Sequence, residues 1–221
     1  MIKKSLSRWK CASIVGIIIA FALWQFSFAQ EVKNIQLSAP DTEGGKPLMQ
    51  ALKERRTSRQ FSTKQLPLQV ISDLLWAASG INRKEKNGRT APTAMDCQEI
   101  DIYVATESGL YIYEPFKHML VQVVAQDIRA VTGKQAFVKD APLNLIYVAD
   151  FSRAATMGTH AEFYAYCDTG FISQNVYLYC ASSGLSTVVR GSFDQVELAK
   201  AMQLKTNQKI ILAQTVGYPK Q

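Results

Sequence analysis

Three guanidinium groups and two hydroxyls fall within five residues of this chain, Arg55-Arg56-Thr57-Ser58-Arg59, directly after a short helical pattern. A guanidinium is permanently charged and carries a planar fork of N–H donors that matches phosphate oxygens, so the stretch suits an anion. The same residues also suit a solvated helix end, where cations favour the carboxyl-terminal dipole. Taken alone, the stretch does not decide between these readings. Other chemistries have less support. No serine sits in a G-x-S-x-G elbow, and His118 and His160 stand apart from each other and from any cysteine cluster, which argues against a triad and against a metal site. There is no G-x-G-x-x-G after a strand and no Walker loop. Asp96, Glu99 and Asp101 form the one close acidic group near a candidate loop, with Glu99 and Asp101 on one face of a strand. An anion clamp, a proline turn and an apolar body remain, a combination that fits a phosphorylated cofactor carrying the chemistry itself.

The elements that must position these residues follow from periodicity. Pro47 suits the first turn of a helix that ends at Arg55–Arg59. A second helix from Pro67 has Ile71, Leu74, Leu75 and Ala78 at the spacing of a buried face, and Ser79-Gly80 closes it. A charged loop over residues 82–91 leads into Pro92-Thr93-Ala94. Ile100–Val104 alternates as a strand, and Glu107-Ser108-Gly109 turns it into a hairpin partner at Leu110–Tyr113. Met119–Val131 reads as a helix. Leu143–Ala149 is a nearly continuous apolar run, expected of a central strand covered on both faces. The longest helical pattern, from about His160 to Ser182, is apolar on most sides and is expected to be deeply buried. Its tyrosines, Tyr164, Tyr166 and Tyr177, read as core packing. A strand at Leu185–Val189, a short helix from Asp194 to Met202 and a last strand at Gln208–Val216 complete one α+β domain with a mixed sheet.

Several of these stretches together resemble one family. Arg-Arg-Thr-Ser-Arg-Gln-Phe after a short helix, Leu-Leu-Trp-Ala-Ala-Ser-Gly-Ile-Asn-Arg, Gly-Arg-Thr-Ala-Pro-Thr-Ala, Asp168-Thr-Gly-Phe-Ile-Ser-Gln-Asn175, Gly184–Gly191 and Val216-Gly-Tyr-Pro219 occur in the order found in the nitroreductase family of flavoproteins. The Arg-Thr-Ala-Pro-Thr-Ala form is similar to the branch that includes thiazoline and oxazoline oxidases. The resemblance spans roughly residues 46–219. It implies a nitroreductase-like fold, a mixed central sheet flanked by helices around a long buried core helix, and a homodimer with its cofactor sites at the interface. The implied cofactor is FMN. Arg55 and Arg56 would meet its phosphate and ribityl end, with the Thr57 hydroxyl beside them. Arg59 would lie near the pyrimidine edge, where a cation stabilises an anionic reduced ring. Pro92, Thr93 and Ala94 would approach from the second subunit. Backbone groups at Arg190 and Gly191 would face the reactive ring nitrogen, and Gln135 would be a further contact. As residue roles in their own right, Thr93 as a turn cap, Gln135 as a loop residue and Arg190 as a surface charge stay open. Two departures stand out. Asp96 occupies a position where many members have asparagine, and Lys220 is the one cation after Pro219 that the sequence offers the phosphate.

The implied activity is two-electron hydride transfer between a small-molecule donor and a small-molecule acceptor. Two alternatives stay beside it: a dehydrogenase of a thiazoline- or oxazoline-like heterocycle, and a non-catalytic protein that binds a flavin or other planar ligand. Residues 1–29 have the layout of a secretory signal peptide. Lys3, Lys4, Arg8 and Lys10 precede an apolar run from Ala12 to Trp24, and Ser27-Phe28-Ala29 offers a cleavage site after Ala29. That run is short for a bilayer span of ~20 residues, although Phe26 and Phe28 extend it, which leaves an uncleaved anchor as the alternative. The expectation is an exported, periplasmic protein with no stable membrane span after cleavage, a polar lead-in over residues 30–45 and a flavin-binding domain over 46–221. Without the leader's four cations the chain has 25 − 4 = 21 basic against 18 acidic residues, too balanced for a nucleic-acid partner. Cys97, Cys167 and Cys180 do not make a disulfide scaffold, since Cys167 and Cys180 lie too far apart along one helix to bridge.

Overall fold

The structure is a computed structural model and describes residues 33–220; the expected leader and its cleavage site lie outside the described residues. Its frame is a seven-stranded sheet ordered β1-β6-β5-β4-β7-β9-β8. These strands are β1 (Ile35–Gln36), β4 (Ile100–Thr106), β5 (Gly109–Glu114), β6 (Met119–Val124), β7 (Leu143–Asp150), β8 (Ser186–Arg190) and β9 (Gln208–Gly217). A two-stranded hairpin, β2 (Ile81–Arg83) with β3 (Gly88–Arg89), stands apart from the sheet. Among the described residues four α-helices accompany the strands: α1 (Leu48–Glu54), α2 (Leu68–Ser79), α3 (Ala161–Ser182) and α4 (Gln195–Ala201).

The apolar run of β7 explains the layering. Leu143, Leu145 and Tyr147 pack with Leu74, Leu75, Ile172 and Val176 of α2 and α3, while Ile146 and Val148 pack with Leu198 and Met202 around α4. Successive side chains of a strand point to opposite faces, so a strand covered on both sides is apolar at nearly every position; the exception, buried Asn144, has its polar atoms hydrogen-bonded. Asp194 starts α4 by accepting hydrogen bonds from the Val196 and Glu197 N–H groups, which satisfies two of the free donors at that end.

Three expectations are corrected. The sheet is not mixed, because every strand pairing in it is antiparallel. Met119–Val131 is not a helix. Its first half is β6, paired along β5 from Tyr113↔Leu120 to Leu110↔Val124, and only a single turn forms at Arg129–Val131. Valines at 121, 123 and 124 favour the extended chain, and the neighbouring strand supplies the ladder. The long helix α3 is present but is buried on one face only. That face consists of Ala165, Asp168, Thr169, Ile172, Ser173, Val176 and Cys180, while Phe163, Tyr164, Tyr166 and Phe171 point outward, Phe163 at 63 % exposure. Small and polar residues face the sheet and the large aromatics face away from it.

Candidate functional site

The basic stretch is extended because α1 stops at Glu54. The Arg55 N–H closes the last turn on the Ala51 carbonyl at 2.8 Å, and Arg55 then leaves the helix at ψ 122°. From there the chain runs across the sheet's end strand and the carboxyl-terminal segment. Ser58 N–H donates to the Thr187 carbonyl at 3.0 Å, Phe61 bridges to Pro219, and Ser62 N–H donates to the Tyr218 carbonyl at 2.9 Å. Phe61 anchors the run by burying its ring against Val188, Ala141 and Phe137, with ring centroids of Phe61 and Phe137 5.2 Å apart.

This docking opens a cleft of about 590 Å³ between the stretch, the end of α3 and the start of β8. Lys46, Lys53, Arg55, Arg56, Ser58, Tyr177, Gly184, Ser186 and Thr187 line it. The one acidic side chain at its wall, Glu54, is paired with Lys46 at 2.5 Å, which holds its carboxyl below the usual range. Tyr177 organises the wall. Its hydroxyl accepts from Val189 N–H at 3.0 Å and lies 3.1 Å from the Thr57 hydroxyl, and the Arg55 guanidinium sits 5.5 Å from its ring centroid. Arg55, Arg56 and Tyr177, the last expected as core packing, therefore line one cleft, while Thr57 is exposed at its edge and meets it through Tyr177. The place of Tyr177 in the helix of the Asp168–Asn175 motif, two residues beyond that motif, is the signal the sequence offers.

The other expected residues separate from this group. Lys220 lines an adjoining cleft of about 610 Å³ with Phe61, Lys64, Asp140 and Tyr218; the two clefts share Gly184 and Pro219. Arg59 is exposed and lines neither. Pro92-Thr93-Ala94 lies over the first half of α3, where Ala94 N–H donates to Asp168 Oδ2 at 2.8 Å. The Thr93 hydroxyl accepts from Gln98 N–H at 2.9 Å, which makes it a turn cap as well as a loop residue. Asp96 is exposed and accepts from the Gln98 amide at 3.0 Å, so its carboxylate is engaged within its own loop. The cavity that this loop lines and the cleft that Arg55 lines share no residue.

Arg190 is not a surface charge. Its side chain is 4 % exposed and donates to three neutral acceptors: Thr215 Oγ1 at 3.0 Å, the Thr132 carbonyl at 2.7 Å and Asn144 Oδ1 at 2.9 Å. Burial without a counter-charge draws its pKa down to about 10. It fastens the 132–135 loop beneath β8, and Gly133 lies so close that a Cβ there would overlap Arg190 Nη1. Gln135 Oε1 is buried in the same corner with no hydrogen-bond partner. Gly191 follows at the exposed end of the strand.

The cleft meets the requirements of a phosphorylated ligand. Four cations, of which Lys46 is paired with Glu54, and the four hydroxyls of Ser58, Tyr177, Ser186 and Thr187 surround it, its volume lies within the ~300–1,000 Å³ of small-molecule sites, and Gly184, at φ +69° with open space around it, leaves its rim unobstructed. The comparisons with known proteins agree on one family. The model of the Nitroreductase family matches residues 52–218. A provisionally named nitroreductase of Methanocaldococcus jannaschii is 31 % identical over 183 residues, covering 78 % of this chain and 91 % of that protein. The crystal structure of a provisionally named nitroreductase from Ralstonia eutropha superimposes with a TM-score of 0.82 at 43 % identity, covering 85 % of this chain and 90 % of that one. An NADPH:FMN oxidoreductase from Vibrio harveyi, solved with NAD+, shares the fold at 19 % identity and a TM-score of 0.60, covering 79 % and 69 %.

Proposed function

The chain belongs to the nitroreductase family and is an oxidoreductase, and on that premise we propose that it is an exported, FMN-dependent, homodimeric member. The observation that carries the cofactor reading is the basic cleft lined by Arg55, Arg56, Tyr177 and the start of β8, with the Thr57 hydroxyl on Tyr177 at its edge. Arg55 and Arg56 hold the phosphate, with Lys46 and Lys53 supplying further positive potential. Tyr177 fixes the Arg55 side chain and the Thr57 hydroxyl, so the clamp is set before the ligand arrives. Bound FMN supplies two-electron hydride transfer, from a small-molecule donor and then to a small-molecule acceptor. The chain's own residues bind, orient and exclude water, and no side chain is assigned as acid or base. Lys220 and Arg59, being outside the cleft, are not assigned to the phosphate.

The second copy is supported by the outward aromatic face of α3 together with exposed Leu48, Met49 and Leu52 on α1, more apolar surface than a solvated face carries. It would bring Pro92, Thr93 and Ala94 to the partner's site, whereas within one chain the cavity they line shares no residue with the basic cleft. Oxidation of a thiazoline- or oxazoline-like ring uses the same cofactor site and is distinguished by azole formation without turnover of nitro compounds. No helix among the described residues is long and apolar enough to cross a membrane.

The deciding experiment is an absorbance spectrum, followed by anaerobic reduction, of protein recovered from the periplasmic fraction. A flavin band that bleaches, on a chain whose mass places its start at Gln30, is the expected result. Protein that stays colourless after reconstitution with excess FMN refutes the cofactor reading, and a retained leader refutes the cleavage site.

A further inference from the structure

Beneath the Pro92–Ala94 loop lie two carboxyl groups that the proposed cofactor chemistry does not use. Glu99, just before β4, is 0 % exposed, and Asp168 on α3 is 2 % exposed. Glu99 Oε2 receives one long hydrogen bond, from the Thr93 hydroxyl at 3.3 Å, and Glu99 Oε1 has no partner at all. Asp168 Oδ2 takes the Ala94 N–H at 2.8 Å. The two carboxyls hold consecutive residues, Thr93 and Ala94, and so face the same turn of chain. Among the described residues neither is ion-paired. The charged groups on the surrounding elements are engaged elsewhere. Arg153, beyond β7, pairs with Asp101 of β4 at 2.7 Å and gives its other N–H to the Glu99 backbone carbonyl. Asp150 of β7 is held by Ser152 and Asn207, and Arg89 of β3 donates to Gln98.

Two neighbouring buried carboxylates with no ion-pair partner disfavour each other's charge, which favours one of them keeping its proton. The acceptor without a partner becomes a donor with one when that proton is on Glu99. We propose that Glu99 carries a proton shared with Asp168, and that the pair is the positioning device for the Thr93–Ala94 segment. Glu99 holds the Thr93 hydroxyl, Asp168 holds the Ala94 N–H, and the shared proton joins the two holds into one clasp. The loop needs such a clasp because Met95, Asp96 and Gln98 all have left-handed backbone, at φ 53°, 53° and 49°, a conformation non-glycine residues keep only when their surroundings impose it. A cavity of about 20 Å³ lined by Thr93, Gln98, Asp168 and Arg89 has room for one water beside Asp168. Burial is the main cause that pushes Glu99 upward, and the Asp168 charge adds to it.

The sign follows from linkage. A carboxyl whose folded value is raised contributes stability that is fully present below the ordinary glutamate range and is lost as pH rises through the folded value. The loop therefore loosens on the alkaline side. The inference stands whether or not the cofactor is FMN, and its test reads the full-length protein without added ligand. Infrared titration should show a protonated carboxyl persisting well above the ordinary glutamate pKa of about 4.3, and Glu99→Gln should remove that band. Amide exchange at Ala94, corrected for its intrinsic pH dependence, should show the open fraction rising about tenfold per pH unit between the ordinary and the folded Glu99 values in the wild type. In Glu99→Gln, whose amide can give the same pattern of bonds with no proton to lose, the open fraction should stay flat. The proposal is overturned by the absence of the band in the wild type, by its survival in Glu99→Gln, or by the same pH slope in both proteins. The wild-type titration decides the matter even where the variant folds poorly.

Discussion

Replacing Arg55 by alanine should separate the phosphate from the rest of the ligand. Arg55 is half-buried, stacked 5.5 Å from the Tyr177 centroid, whereas Arg56 is exposed at the cleft's outer wall. A charge-assisted hydrogen bond from a partly buried guanidinium is worth about 1.5–3 kcal/mol. Arg55→Ala should therefore raise the Kd for FMN by about 30-fold, the equivalent of about 2 kcal/mol. Arg56, screened by solvent, should contribute about 1 kcal/mol, or about fivefold. The cation–π stacking on Tyr177 that Arg55→Ala removes is worth only ~0.5–1 kcal/mol to the fold, so the apoprotein should stay folded. Fluorescence titration with FMN and with riboflavin, at two salt concentrations, reads the effect. The wild type should prefer FMN, the preference should shrink in salt, and the variants should lose it while keeping their riboflavin affinity. A wild type that binds riboflavin as tightly as FMN, or variants that lose both ligands equally, would refute the clamp.

Two further outcomes are expected. Arg190→Met should destabilise the protein by about 3 kcal/mol, because the buried Thr132 carbonyl loses its donor and Asn144 loses one of two, at ~1–3 kcal/mol for each group left unpaired. Thermal melting should fall by about 6–12 °C for a chain of this size, and an unchanged melting temperature would mean that the guanidinium's desolvation cancels its bonds. In sedimentation the wild type should run as a dimer and a Phe163→Glu, Phe171→Glu double variant as a monomer; a monomeric wild type would contradict the proposed partner copy.

Some features are legible in the residues and others cannot be. β7 reads correctly because burial on both faces removes any need for alternation, and α2 reads correctly because Ile71, Leu74, Leu75 and Ala78 carry the helical period on their own. β6 reads as helix because the residues after Val124 prolong an apparently helical spacing, while the ladder with β5 that decides the matter is a tertiary property. The one-sided burial of α3 is hidden for a related reason. Hydrophobicity has no direction in a sequence, so Phe163, Tyr166 and Phe171 look like core, and Asp168, Thr169 and Ser173, which do face the sheet, look like surface. Arg190 illustrates the same limit at the site. Its three acceptors come from residues 132, 144 and 215, and nothing local announces that they converge. The basic wall of the cleft is legible because Arg55 and Arg56 are contiguous, but the tyrosine beneath Arg55 lies 120 positions away from Thr57.

The tie between Ser58 and Thr187 bears on when the protein becomes competent. It joins positions 187 − 58 = 129 residues apart, and the Phe61–Pro219 bridge spans still more of the chain. Contacts of such long separation are among the costliest in loop closure and tend to form late. The arginines emerge early in synthesis or translocation, yet they have no wall to line until β8 and the last segment have been delivered. The cleft is therefore among the last features of this fold to be completed, and a chain interrupted before residue 186 carries the basic stretch without the wall it faces.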